Sequence, residues 1–194
     1  MTDGADRALL DALAALVTAL RDIPAPSMVI GGIAVIARGV PRQTIDVDAT
    51  VWAEAIDPQS LFNALARQEL TPRIDDALEF ARRHQILQLR HAPSGTPVDL
   101  SLAWLPFERE ALERSSIVDF GGVAIRVATP EDLIVYKAVA WRDRDRADIE
   151  RLLTRYGREV NLGRIRALVR DFAMALDEPE RIEQFEVLVA RALT

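Results

Sequence analysis

Leu9, Leu13, Leu16 and Leu20 recur every three or four residues, the spacing of one face of an α-helix over 5–21. "IPAPS" breaks that pattern, Met28 to Ile30 reads as a short apolar strand, and Gly31-Gly32 turns the chain into a short helix stopped at Gly39. "TIDVDATVW" at 44–52 alternates strictly, which predicts a strand with Ile45, Val47, Ala49 and Val51 on one face and Asp46, Asp48 and Thr50 on the other. Asp57-Pro58 opens an amphipathic helix to about Glu69, with Leu61 and Leu65 inward. Residues 70–84 carry no clear period. "QILQLRH" and "VDLSLAW" read as strands separated by the turn "SGTP", the second setting Val98, Leu100 and Leu102 against Asp99 and Ser101. "SIVDF" and "VAIRVA" flank Gly121-Gly122 as a hairpin.

From Thr129 the pattern is helical. "TPEDL" supplies Thr at the N-cap, Pro at the first helical position and acids in the first turn. Further helices are expected over 146–156, 161–175 and 179–192. The division falls near Ala128, giving an α/β core over 1–127 and a helical subdomain over 128–194.

Composition narrows the chemistry. A formal charge of −6 argues against coating nucleic acid by net charge alone. With no cysteine and two histidines, disulfides and thiolate metal sites are excluded, and a transition-metal site on His84 and His91 is not expected. The N-terminus has no basic leader before an apolar block, and no apolar run reaches the ~18 residues of a membrane span, so a cytoplasmic protein without membrane attachment is expected. Trp52, Trp104 and Trp141 read as packing residues. The chain has 23 arginines and one lysine, Lys137, so that position is a candidate for a compact point charge that arginine cannot replace.

Asp46 and Asp48, two apart on a strand, share a face, and Asp99 holds the matching position on another strand. If the strands are neighbours, three carboxylates converge. Such anions repel one another unless a cation joins them. Mg²⁺ takes oxygen ligands and leaves room for substrate phosphate. Asp-x-Asp alone is weak evidence, since Asp143 and Asp145 repeat it. Gly31-Gly32, between strand and helix, presents backbone N–H groups that suit phosphate, although neither GxGxxG nor a Walker lysine motif is present.

"GG" followed after thirteen residues by "DVD", with a later strand acid in "VDL", resembles the nucleotidyltransferases of the DNA polymerase β superfamily. The longer strings "GGIAVIARGVPRQTIDVD" and "ATPEDLIVYKAVAWRDRDRADIERLL" are similar to minimal bacterial AbiEii-type toxins of toxin–antitoxin systems, over about residues 28–153. The resemblance implies an α/β (α+β) fold, a mixed sheet flanked by helices with a C-terminal helical subdomain. It implies transfer of a nucleotide with Mg²⁺, or Mn²⁺, held by Asp46, Asp48 and Asp99, the last helping to activate the attacking hydroxyl. Gly31, Gly32, Arg42 and Thr44 would bind the nucleoside triphosphate and Lys137 its phosphate. Asp148 matches the following acid, with Asp145 open as an alternative. Many relatives carry Ser after the first glycine; here Gly32 offers backbone alone.

The acceptor is the open part of this reading. Residues 142–170 hold nine arginines against five acids, a local +4, which fits RNA phosphate or an ordinary solvated face; tRNA and an antitoxin protein are the partners that the toxin resemblance implies. A small-molecule acceptor, as in antibiotic nucleotidyltransferases, and a non-catalytic nucleotide-binding or partner-regulating protein are the alternatives.

Overall fold

The computed structural model describes residues 3–54 and 56–193. They divide into two compact units, one running to Ala37 and again over Gln43–Ala128, the other combining Arg38–Arg42 with the chain from Thr129.

The first unit is a mixed α/β structure. Its elements are α1 (Asp3–Arg21), β1 (Ser27–Val29), α2 (Gly31–Ala37), β2 (Val47–Trp52), α3 (Pro58–Arg67), β3 (Leu70–Pro72), α4 (Ala77–His84), β4 (Ile86–His91), β5 (Pro97–Ala103), α5 (Pro106–Arg114), β6 (Ser116–Phe120) and β7 (Val123–Val127). The strands form one sheet in the order β3-β4-β5-β2-β1-β7-β6. Pairs β2–β5 and β1–β7 are parallel and the others antiparallel. Val47, Ala49 and Val51 of β2 and Val98 and Leu100 of β5 are fully buried, so the central parallel pair is the dry middle of the unit. Leu13 and Leu16 of α1 are equally buried, as the leucine spacing requires.

Several elements depart from the sequence reading. The alternating run was expected to be strand from Thr44, but β2 starts at Val47, where its register with Val98 begins. Ile45 precedes any sheet partner and is 80% exposed, so it does not share the inward face. Thr50, placed on the polar face, is fully buried, with its hydroxyl directed at the Ser101 carbonyl. The unpatterned stretch contains β3 and α4; α4 buries only Ala77 and Ala81, side chains too small to print a helical period. The helix α5 follows Trp104 unannounced, with Pro106 in its first turn and the Glu108 carboxylate accepting from the backbone N–H groups of Trp104 and Leu105. The β6–β7 hairpin turns on Gly121 and Gly122, both at positive φ, as a tight two-residue loop demands.

The second unit is helical: α6 (Pro130–Ala140), α7 (Asp143–Tyr156), α8 (Leu162–Ala175) and α9 (Glu180–Leu193). Thr129 caps α6, its hydroxyl accepting from the Asp132 N–H, and Asn161 caps α8 through Arg164 N–H. Helix α7 starts at Asp143, three residues before the expected start, because the Asp145 carboxylate reaches back to the Arg142 N–H. Leu133, Ile134, Ile149, Leu152, Ile165 and Phe185 form the core of this unit. Arg38–Arg42 belongs to it: Tyr156 Oη donates to the Arg38 carbonyl at 2.6 Å, and Arg42 Nη1 lies 2.7 Å from Asp148 Oδ2. No helix among the described residues is long and apolar enough to cross a membrane.

Candidate active site

Strand β2 carries Asp48 and strand β5 carries Asp99. The two are register partners in the parallel pair, so their side chains leave the same face from backbones about 4.8 Å apart. Both are half-buried, while their strand neighbours Val47, Ala49, Val98 and Leu100 point into the core. Alternation of burial thus delivers the two carboxylates to one place.

The Gly-Gly turn is built onto the same spot. The Ile30 N–H donates to the Asp48 carbonyl at 2.9 Å, which fixes the end of β1 against β2. Gly31 follows at φ +65°, and a β-carbon on it would overlap the Asp48 carboxylate. Only glycine combines that backbone angle with that approach. Gly32 is buried within the first turn of α2.

Asp46 stands two residues upstream, at the bend before β2. The Thr44 hydroxyl donates to Asp46 Oδ1 at 2.8 Å, so Thr44 orients a carboxylate. Asp99 is ion-paired with Arg73, a residue that sequence reasoning missed. Arg73 follows β3, and its N–H donates to the Gln88 carbonyl at 2.9 Å; Gln88 is in turn the β4 register partner of Asp99. Pairing at the sheet edge creates this contact, and nothing in the unpatterned stretch around residue 73 signals it.

The structure therefore brings Asp48, Asp99, Gly31 and Arg73 together and sets Asp46 beside Thr44. Among the described residues, no three His, Cys, Asp or Glu side chains are grouped closely enough to hold a metal ion. Asp48 and Asp99 offer oxygen donors of the kind a hard cation takes, with the Arg73 guanidinium competing for Asp99.

The remaining candidates meet inside the helical unit. Lys137 is 4% exposed, its ammonium 2.9 Å from Asp145 Oδ1 and 3.0 Å from Asp148 Oδ2. Arg42 takes the second contact on Asp148, and Arg142 Nε lies 2.6 Å from Asp145. Burial works to raise the Asp145 pKa, but hydrogen bonds from Arg142 and Lys137, with their charges, outweigh it and leave the carboxyl below its ordinary value. Lys137, Asp145, Asp148 and Arg42 are largely buried, Arg142 joins them from an exposed position, and both carboxylates are multiply satisfied.

A family model described as "nucleotidyltransferase of unknown function (DUF6036)" matches residues 8–191. The chain belongs to this nucleotidyltransferase family. No curated protein matches the sequence. The solution structure of the antibiotic-resistance factor ANT(2'')-Ia is similar with a TM-score of 0.56 at 17% identity, over 90% of this chain and 96% of that one. The crystal structure of ANT(2'')-Ia with adenylyl-2''-tobramycin gives 0.53 at 16% identity, over 85% and 96%. An antigenic nucleotidyltransferase-like protein from Paracoccidioides brasiliensis gives 0.50 at 15% identity, over 90% and 92%. At these identities the likenesses show the fold: this DUF6036 chain has the mixed α/β nucleotidyltransferase-like architecture. They do not single out the AbiEii-type toxins among nucleotidyltransferases.

Proposed function

We propose that this chain moves a nucleoside monophosphate from a nucleoside triphosphate to an acceptor hydroxyl. The observation that carries the reading is the register pair Asp48 and Asp99 set against the Gly31 turn in a chain of a nucleotidyltransferase family. Asp46, Asp48 and Asp99 would hold Mg²⁺ or Mn²⁺, which when bound supplies charge neutralisation at the reacting phosphate. The backbone N–H groups of the Gly31-Gly32 turn would meet phosphate, and Thr44 keeps Asp46 turned in one direction. Asp99, oriented by Arg73, takes the proton of the acceptor hydroxyl. The acceptor oxygen bonds to the α-phosphorus, the bond from that phosphorus to the bridging oxygen breaks, and pyrophosphate leaves with the electron pair. Positioning and electrostatics supply most of the acceleration. In this reading Lys137, Asp145, Asp148 and Arg42 hold the helical unit together, since their charges satisfy one another.

RNA, with tRNA as its first candidate, is the proposed acceptor, and a toxin-like role restrained by an antitoxin protein goes with it. Arg144, Arg158 and Arg170 are exposed in the second unit and support that choice. Arg142, Arg146, Arg151, Arg164 and Arg166 pair with acids of the same unit, so the RNA-facing charge is smaller than the sequence count. A second reading, a small cationic acceptor, is favoured by a polar cavity of about 460 Å³ in the first unit, lined by Asp75, Asp76, Glu79 and Arg83. Incubation with each α-labelled triphosphate, Mg²⁺ and either total RNA or an aminoglycoside tests both. Label on RNA supports the first reading, label on the small molecule the second, and no transfer to either refutes transferase activity.

A further inference from the structure

The first unit holds a cavity of about 370 Å³ whose lining includes none of Asp46, Asp48, Asp99, Gly31 and Gly32. Leu20 and Arg21 come to it from the end of α1, and Ile117 and Arg126 from β6 and β7, where they are register partners. Met28 and Val29 of β1 form its floor, at 2% and 4% exposed, whereas Ile117 stands 68% exposed at its mouth. Apolar side chains make up most of the lining. The two guanidiniums distinguish this space from slack packing. Arg42, Arg73 and Arg164 each answer a carboxylate, but among the described residues neither Arg21 nor Arg126 is ion-paired. Arg126 is nonetheless held in place. Its Nη1 donates to the Ser115 carbonyl at 2.9 Å and lies 3.3 Å from the Ser115 hydroxyl, and Ser115 is buried. That leaves the N–H groups of Nε and Nη2 for another acceptor.

We propose that this cavity binds a small amphipathic carboxylate, with its hydrocarbon part against Leu20, Met28 and Val29 and its head on Arg126, Arg21 adding a second positive charge. A fixed cation with unused donors above an apolar floor matches a ligand with one anionic end and an apolar body. The volume falls at the small end of the ~300–1,000 Å³ range of small-molecule sites. A nucleoside triphosphate does not match this lining, since its sugar and phosphates would cover apolar surface without hydrogen-bond partners. Binding here does not depend on the transferase reading.

The test is calorimetric titration of the full chain with octanoate, with octan-1-ol and acetate as probes of the tail and the head alone. The variants are R126Q and I117E, both at exposed positions and each checked for folding by its melting curve. I117E sets a carboxylate opposite Arg126 across the β6–β7 pair, so the chain itself supplies the anion. Wild type is expected to bind a single octanoate per chain, about 10-fold or more tighter than octan-1-ol, and to show no heat with acetate. R126Q and I117E should each lose about 10-fold or more in octanoate affinity. No octanoate bound by wild type at millimolar concentration overturns the inference, as does uptake of several molecules without saturation. Equal affinity for octan-1-ol, or a folded variant that titrates like wild type, overturns it as well. The wild-type stoichiometry and the comparison with octan-1-ol decide even if neither variant folds.

Discussion

The Asp48 carboxylate occupies the space that a side chain on Gly31 would need. One residue belongs to the turn after β1 and the other to β2, and the Ile30–Asp48 backbone hydrogen bond joins the two segments. The glycine turn and the acid motif, thirteen residues apart in sequence, are therefore one structural feature.

Gly31→Ala tests that coupling. Positive φ alone costs a β-carbon about 1–2 kcal/mol, and the overlap with Asp48 adds a packing cost of about 1–3 kcal/mol. Urea unfolding should show a lower midpoint. The folded fraction should bind a magnesium–triphosphate analogue more weakly, because Asp48 has moved. An alanine variant with wild-type stability and affinity would mean that the turn is not fitted to the carboxylate.

The ion network of the helical unit gives a stability prediction. Lys137→Met removes the ammonium from two buried carboxylates, a change that costs about 3–5 kcal/mol when a buried partner is left uncompensated. Arg42 and Arg142 remain on Asp148 and Asp145, so a loss near the lower end is expected in urea. Lys137→Arg should also destabilise, by about 1–3 kcal/mol, since a wider guanidinium must enter a site that is 4% exposed. A neutral Lys137→Arg would remove the reason for the chain's single lysine.

Asp145 sets a pH dependence. Its folded pKa lies below the ordinary aspartate value, so the folded state releases its proton more readily than the unfolded chain. Its contribution is therefore fully present above the unfolded value and fades as pH falls below about 4 through the lower folded value. Comparing wild type with Asp145→Asn by urea melts, the gap should be constant from neutral pH down to about pH 5 and narrow below about pH 4. A gap that widens on acidification would show that the carboxylate is not held in its charged form.

Legibility followed burial. Strands β2 and β5 sit in the middle of the sheet, so alternation writes Asp48 and Asp99 onto one face and both are readable from sequence. The Thr129 cap and the Gly121-Gly122 hairpin are equally local and equally legible. Peripheral elements are not: β3 is three residues long, α4 buries two alanines, and α5 is set by a proline and a glutamate rather than by apolar spacing. Ile45 misleads because it continues the alternation past the point where β2 has a partner. Arg73 could not be foreseen, since its meeting with Asp99 depends on two successive strand pairings at the sheet edge. The resemblance gave Lys137 a phosphate to contact and Asp148 as the acid that follows it in the motif; their ion pair, and its sharing with Arg42, is visible only in the fold.

The most direct measurement is magnesium-dependent transfer of α-phosphate label by wild type and by Asp48→Asn, under conditions where both melt as folded proteins. The account predicts transfer by wild type and a loss of about 100-fold or more in the variant, because a carboxylate serving the reacting phosphate has been neutralised. Transfer by folded Asp48→Asn at the wild-type rate would contradict it.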